Sequence, residues 1–216
     1  MPDQRQTSDL SLFVDILRTL EALDAPYVII GAFAATVYGI TRATFDIDFI
    51  VNLSERHIQA LAAHYPPPRY YADPDQMRNS IRLGIMFNII DSSRGEKADL
   101  VPATMHPRYP QVLVNRVRQQ VKAPGEEPFE AWCASPEDVI IGKLMAWTEG
   151  RSRKHETDIY EMLVFHYLGL DPTISFNEHI VNTEAEALGQ TTADFWEAVK
   201  KAARQEADRL SSGLEE

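Results

Sequence analysis

The chain has 216 residues and a formal net charge of −11, from 21 Lys and Arg against 32 Asp and Glu. With 44% hydrophobic and 25% charged residues, the composition is that of a globular protein and excludes collagen-like, coiled-coil and disordered chains. The single cysteine, Cys133, excludes an internal disulfide framework and a cysteine-rich zinc site, and it lies in an apolar stretch where burial is expected.

The sequence indicates no membrane segment. Its most apolar run, residues 27–40, is interrupted by Gly31, Thr36 and Gly39 and is shorter than the roughly 20 apolar residues that a membrane span needs. The polar start MPDQRQTSD lacks the basic cluster and apolar core of a secretory signal, so we expect a cytoplasmic protein.

The first part of the chain alternates between helical and strand patterns. The predicted elements are a helix begun by Ser8 or Asp9, a strand over 27–30, a short helix from Gly31 to Gly39, a strand over 44–51, and a helix from Ser54 to Pro66. Each boundary follows from a cap, a glycine or a proline, and the strands are rich in β-branched and aromatic residues.

The later part of the chain is predicted to be mostly helical. Its elements are a short helix begun by Asp73 and Pro74, a hairpin of strands 86–91 and 98–102, and helices over 135–147, 157–168, 177–188 and 193–210. Residues 105–121 are left open, because LVNRVRQQV fits both a helix and an edge strand.

Strands therefore dominate up to about residue 134 and helices dominate the remainder. This order is typical of the α+β class. We predict a mixed β-sheet flanked by helices over 1–134 and a helical C-terminal region, packed on it, over 135–216.

Two aspartates alternate with apolar residues in the strand predicted over 44–51. Asp46 and Asp48 are two residues apart, so they point to the same face of that strand, roughly 6.5 Å apart along the chain. Two carboxylates this close repel each other unless they face water or share a cation, and Mg²⁺ prefers carboxylates together with phosphate oxygens and water. A solvated face of an edge strand is the alternative interpretation.

A third carboxylate, Asp99, also lies in an apolar strand. If its hairpin pairs next to the Asp46 strand, three carboxylates converge, which is enough to hold two metal ions about 4 Å apart for phosphoryl transfer. The sequence does not establish that adjacency, and an ordinary strand-end residue near a turn is the alternative.

Gly31 lies between a strand and a helix, where free backbone N–H groups point toward any anion placed there. The 15 residues from Gly31 to Asp46 fit one short helix and a return to an adjacent strand. The sequence contains neither GxGxxG nor a P-loop pattern, and close packing of small residues against the sheet is the alternative.

One segment, GAFAATVYGITRATFDIDFIV at residues 31–51, contains both Gly31 and the aspartates Asp46 and Asp48. Together with Asp99 on a later strand, it resembles the DNA polymerase beta-like nucleotidyltransferase superfamily. The pattern G-x-x-A-x-x-x-x-G-x-x-R-x-T-x-D-I-D looks like its bacterial branch that includes the AbiEii type toxin nucleotidyltransferases. The segment SPEDVIIGKLMAWTEGRSRKHETDIYEML, residues 135–163, is similar to the helical region of that branch, and the resemblance covers about residues 10–170.

The resemblance implies a nucleotidyltransferase-like sheet and a role for each carboxylate. Asp46 and Asp48 would bind two divalent ions, Mg²⁺ or Mn²⁺, and Asp99 would complete the site of the catalytic ion. Gly31 and the N–H groups after it would hold the phosphates of a nucleoside triphosphate. Ala32 stands where Ser or Gly is usual in the family, so a hydroxyl that commonly contacts phosphate is missing.

Three further positions match the family pattern. Lys143 and Arg42 are candidates for contact with the triphosphate, and Asp158 matches an aspartate with a supporting role. The alternative interpretations are a surface lysine for Lys143, a structural ion pair for Arg42 and a helix N-terminal charge for Asp158.

The implied activity is metal-dependent transfer of a nucleoside monophosphate to a hydroxyl or phosphate of an acceptor (tRNA, protein or small molecule), with release of pyrophosphate. The alternative, motivated by Ala32, is a catalytically weak nucleotide-binding or regulatory component of a toxin–antitoxin pair, with a cognate antitoxin as partner. The net charge of −11 disfavours broad nucleic-acid binding, whereas residues 108–122 contain four basic and no acidic residues. That segment either guides a tRNA acceptor end or forms a solvated face.

Overall fold

The computed structural model describes residues 11–42, 47–122 and 127–213. The chain divides into two compact units, one formed by 1–33 with 44–133 and the other by 34–43 with 134–216. The division predicted from the sequence kept residues 34–43 with the first region, whereas the structure groups them with the second unit.

The first unit is built on a mixed sheet, whose seven strands in the described ranges are β1 Tyr27–Ile30, β2 Asp48–Val51, β3 Tyr70–Tyr71, β4 Phe87–Asp91, β5 Glu96–Pro102, β6 Val117–Val121 and β7 Phe129–Cys133. Their spatial order is β3-β4-β5-β2-β1-β7-β6. The pairs β2–β5 and β1–β7 are parallel and the other pairs are antiparallel.

The helices around this sheet are α1 Ser11–Ala22, α3 Glu55–His64, α4 Pro74–Leu83 and α5 Tyr109–Asn115, with a short 3₁₀ turn at Ala103–Met105. Helix α2, Gly31–Thr36, begins in the first unit and ends in the second. Local signals set several of these boundaries: the Asp73 side chain accepts the backbone N–H of Asp75 at 2.8 Å at the start of α4, and Gly84 ends that helix at φ +63°.

The second unit is helical in its described residues, with α6 Pro136–Gly150, α7 Arg153–Tyr167, α8 Glu178–Ala187 and α9 Gln190–Ser212. The Ser135 hydroxyl accepts the backbone N–H of Asp138 at 3.2 Å, which caps α6. Ile159, Leu163 and Trp196 are buried in the core of this unit. None of the helices in the described ranges is long and apolar enough to cross a membrane.

The predicted fold class is confirmed, since the chain combines a mixed sheet flanked by helices with a helical C-terminal region. The segment left open between helix and strand contains both, because α5 ends at Asn115 and β6 begins at Val117. Strand β7 was not predicted. The second predicted strand is observed from Asp48 onward, and its residues 44–46 lie outside the described ranges.

Candidate functional site

Asp48 and Asp99 lie side by side in the sheet. They occupy directly paired positions of the parallel strands β2 and β5, and neighbouring strands lie about 4.8 Å apart. The next residues along these strands, Phe49 and Leu100, are also paired and are fully buried. Because successive side chains alternate between the two faces, both carboxylates lie on the sheet face opposite this core layer. The hairpin therefore does pair next to the aspartate strand.

Asp46, the third predicted carboxylate, lies outside the described residues, so its position relative to this pair stays a prediction. Among the residues that the structure describes, no three His, Cys, Asp or Glu side chains gather as a metal site. The described part of the candidate site is thus the pair Asp48 and Asp99.

A hydrogen bond and an ion pair converge on Asp99. Asn88 in β4 is its direct partner in the antiparallel β4–β5 register, and the Asn88 side-chain amide donates to Asp99 Oδ1. The ammonium nitrogen of Lys97 lies 2.9 Å from the same oxygen. Asn88, Asp99 and Asp48 therefore form a polar row across three neighbouring strands.

Asn88 and Lys97 were not predicted as site residues from the sequence. A signal was present, because Asn88 alternates with the buried Phe87 and Ile89 in FNIID and so faces away from the core. Its alignment with Asp99, however, depends on the register of the hairpin, which the sequence pattern alone leaves undetermined.

Gly31 is in close contact with the carboxylate of Asp48. Its φ is +70°, and a Cβ atom added there would lie 2.8 Å from Asp48 Oδ2. This approach follows from the β1–β2 register, which pairs Ile30 with Asp48. Glycine is thus required at position 31 both by the backbone conformation and by the space that Asp48 occupies. Phosphate contacts by Gly31 and Ala32, at the start of α2, stay a prediction.

Arg42, Lys143 and Asp158 form an ionic cluster in the second unit. The Arg42 guanidinium donates to both oxygens of Asp158, with both N···O distances at 2.7 Å, and Lys143 Nζ donates to Asp158 Oδ2 at 2.6 Å. The Asp158 and Lys143 side chains are only 1% and 6% exposed. Two cations therefore share one buried carboxylate, and the charge of Glu161 also acts on Arg42.

Burial and pairing shift the pKa values of Asp158 and Lys143 in opposite directions. Burial raises the pKa of Asp158, but hydrogen bonds from Arg42 and Lys143 outweigh it and hold this pKa below its ordinary value. Burial lowers the pKa of Lys143, against the hydrogen bond to Asp158 that raises it. Arg42 thus makes an ion pair, and Lys143 is buried rather than on the surface. Contact of either residue with a triphosphate stays a prediction.

The basic segment 108–122 contacts its own unit. The guanidinium carbons of Arg116 and Arg118 lie 4.7 and 4.9 Å from the centre of the Trp132 ring. Arg118 also donates to Glu21. Two of the four basic side chains are therefore engaged within the first unit, by stacking and by an ion pair.

No family model and no curated protein sequence matches the chain. Among solved structures it is similar to an antigenic nucleotidyltransferase-like protein from Paracoccidioides brasiliensis, with 20% identity, a TM-score of 0.47 and coverage of 90% of this chain and 93% of that one. It is also similar to the antibiotic-resistance factor ANT(2'')-Ia, with 18% identity, a TM-score of 0.41 and coverage of 97% and 98%. Both likenesses are distant, so the function is inferred below from the residues of this chain.

Proposed function

We propose that this chain is a metal-dependent nucleotidyltransferase that transfers a nucleoside monophosphate from a nucleoside triphosphate to an acceptor. The observation that carries the proposal is the pairing of Asp48 with Asp99 on neighbouring strands, beside a glycine that leaves room for the Asp48 carboxylate. This placement is the one that the resemblance to the nucleotidyltransferase superfamily implies.

The donor set fits a hard divalent cation. Asp48 and Asp99 offer carboxylate oxygens, which Mg²⁺ and Mn²⁺ prefer together with phosphate oxygens and water. The ammonium of Lys97 already lies against Asp99, so the position of this carboxylate is compatible with a neighbouring positive charge. Asp46, two residues before Asp48, is proposed as the third ligand on the strength of the D-x-D motif. When bound, divalent ions would neutralise charge on the phosphates and lower the pKa of the acceptor hydroxyl.

In the proposed reaction an acceptor oxygen forms a bond to the α-phosphorus and the bond from that phosphorus to pyrophosphate breaks. The acceptor proton passes to solvent. Asp48 and Asp99 would hold the divalent ions, and Gly31 leaves the space that the Asp48 carboxylate occupies. The backbone N–H groups of Gly31 and Ala32 are proposed to bind phosphate oxygens.

Arg42 and Lys143 are proposed to support the triphosphate. Both side chains carry a positive charge, which attracts a phosphate anion, and the assignment otherwise rests on the family resemblance. Asp158 is proposed to hold both cations in fixed positions.

The acceptor is proposed to be a hydroxyl of a small molecule or protein rather than tRNA. Arg116 and Arg118 are engaged with Trp132 and Glu21, which favours the solvated-face interpretation of the basic segment. The net charge of −11 acts in the same direction, because phosphate-backbone affinity depends on cationic contacts. A cognate antitoxin as a regulatory partner stays a further proposal, based on the family resemblance.

The test is incubation of the purified protein with each α-labelled nucleoside triphosphate and Mg²⁺, with a panel of small-molecule, protein and tRNA acceptors. Asp48→Asn and Asp99→Asn should each lower the transfer rate about a hundredfold or more, because each removes a charge from the ion site. Asp208→Asn, at an exposed position of α9, is the matched control and should transfer like the wild type.

Two results would contradict the proposal. Transfer that is unchanged in both Asp48→Asn and Asp99→Asn would exclude these carboxylates from the reaction. Nucleotide binding without transfer to any acceptor would favour the alternative of a nucleotide-binding component, for which Ala32 is the motivation.

A further inference from the structure

We propose that Asn88 is a positioning residue that fixes the carboxylate of Asp99 by one oxygen and so leaves the other oxygen for a divalent cation. This inference rests on the metal site of the proposed function. It adds a residue outside the D-x-D motif and outside every position that the family resemblance assigns.

The sheet places the Asn88 amide against Asp99 and holds it there. Asn88 lies between Phe87 and Ile89, both fully buried, so its side chain points to the opposite face of β4. On that face its register partner is Asp99, whose own register partner on the other side is Asp48. Strand pairing on both sides of β5 therefore sets the spacing of the three side chains.

The contacts of Asp99 are divided unequally between its two oxygens. Oδ1 accepts a hydrogen bond from the Asn88 amide, and the Lys97 ammonium nitrogen lies 2.9 Å from the same oxygen as an ion pair. Among the described residues, no side chain or backbone group donates to Oδ2. A hydrogen bond to one oxygen of a carboxylate restricts the orientation of the group and leaves its other oxygen for a metal ion, as outer partners of metal ligands commonly do.

Asn88 and Lys97 differ in whether they can keep their contact with Asp99 when a cation binds. The Lys97 side chain is 52% exposed and carries a charge of the same sign as the metal, so it can move into solvent. The Asn88 amide is neutral and half-buried, so it can keep its hydrogen bond to Asp99 while a cation binds. An aspartate at position 88 would instead place a like charge directly opposite Asp99.

The test measures Mn²⁺ binding to the full chain by electron paramagnetic resonance, with Mn²⁺ alone as the probe. Asn88→Leu removes the amide while keeping the branched shape of the side chain, and should weaken Mn²⁺ binding about tenfold or more, as loss of an outer partner of a metal ligand commonly does. Asn88→Thr replaces the amide by a shorter hydroxyl donor, in a residue that suits a strand, and its Mn²⁺ affinity should lie between those of the wild type and Asn88→Leu. Asn79→Ala removes an exposed amide of α4 and is the matched control, expected to bind Mn²⁺ like the wild type.

A kinetic readout separates positioning from a structural role. In Asn88→Leu, kcat should fall more than the KM for nucleotide rises, because a misplaced Asp99 affects the reacting centre more than substrate binding. Thermal unfolding of the same variants checks folding, and Asn88→Thr serves if Asn88→Leu does not fold.

The outcomes distinguish this inference from the proposed function. Wild-type Mn²⁺ affinity in Asn88→Leu, together with lost affinity in Asp99→Asn, overturns the role of Asn88 and leaves the metal site in place. Mn²⁺ binding without nucleotidyl transfer overturns the proposed function. In that case the Mn²⁺ affinity of Asn88→Leu, compared with that of the wild type, still tests the role of Asn88. Equal Mn²⁺ binding by the wild type and Asp99→Asn, or none by either, overturns both.

Discussion

The α-carbon of Gly31 faces the carboxylate of Asp48 so closely that a methyl group on it would come within 2.8 Å of Oδ2. Gly31 also has φ +70°, a conformation that side chains rarely adopt. Two independent constraints therefore act on one residue at the turn from β1 into α2, and they can be separated by experiment.

Gly31→Ala should lower both Mn²⁺ affinity and the free energy of unfolding. The backbone strain costs about 1 kcal/mol, and the added methyl group displaces the Asp48 carboxylate. Gly95→Ala is the matched control, since Gly95 has φ +71° and no atom within 4 Å of an added Cβ. Gly95→Ala should lower the free energy of unfolding, measured in urea, by the backbone strain alone. It should leave Mn²⁺ binding unchanged. Equal effects of the two substitutions on Mn²⁺ binding would remove the Asp48 contact as the cause.

The parts of the fold that were predicted carry local signals. Strand β1 at residues 27–30 and the start of α6 at Ser135 and Pro136 follow from apolar runs, caps and prolines close in sequence. Strand β7 was missed because FEAWC is short and because its pairing with neighbouring strands was not predicted. It pairs on one side with β6, in the segment left open between helix and strand, and on the other side with Ile29 of β1, more than 100 residues earlier in the chain.

In the candidate site too, the residues with a local sequence signal were predicted, and those that depend on long-range pairing were missed. Asp48 and Asp99 were predicted because each is a carboxylate in an apolar strand. Asn88 was missed because an amide in a strand is ordinary until its register partner is known. Likewise, the burial of Lys143 depends on Asp158, which lies on the next helix.

Asp158→Asn should be strongly destabilising. The side chain is 1% exposed and accepts hydrogen bonds from both Arg42 and Lys143, so its neutralisation removes the carboxylate that pairs with the buried Lys143 ammonium. Loss of one partner of a buried ion pair costs about 3–5 kcal/mol. Lys143→Met should cost less, because Asp158 keeps both hydrogen bonds from Arg42. Urea unfolding measures both variants, and a larger loss in Lys143→Met would contradict this account of the cluster.

Asp91 should make the stability of the chain depend on pH under acid conditions. Hydrogen bonds from Arg69, followed by those from Ser93, lower the pKa of Asp91 from 3.8 to about 2. A lowered pKa in the folded state stabilises the protein above the unfolded pKa, and this contribution is lost as the pH falls from about 4 to about 2. The difference in unfolding free energy between the wild type and Asp91→Asn should therefore shrink across that range.

Arg69→Gln tests the cause of this pH dependence. It removes the guanidinium whose hydrogen bonds lower the pKa of Asp91 most, so that pKa should rise toward its ordinary value and the acid transition should move to higher pH. Titration of the Asp91 carboxyl by NMR measures the shift directly. An unchanged titration in Arg69→Gln would assign the effect to Ser93 instead.

Gly39→Ala should destabilise the chain more than a glycine substitution at a comparable backbone conformation. Gly39 has φ +98°, and an added Cβ would lie 2.5 Å from both Cβ and Cγ of Phe165. Strain and overpacking together should cost about 3 kcal/mol or more. Gly169→Ala is the matched control, with φ +62° and no atom within 4 Å of the added Cβ, and should cost about 1 kcal/mol. Because the collision is with both Cβ and Cγ of Phe165, a double-mutant cycle of Gly39→Ala and Phe165→Gly, which removes both atoms, should show a favourable coupling energy in urea unfolding. Additive effects in that cycle would contradict the contact between the two residues as the cause.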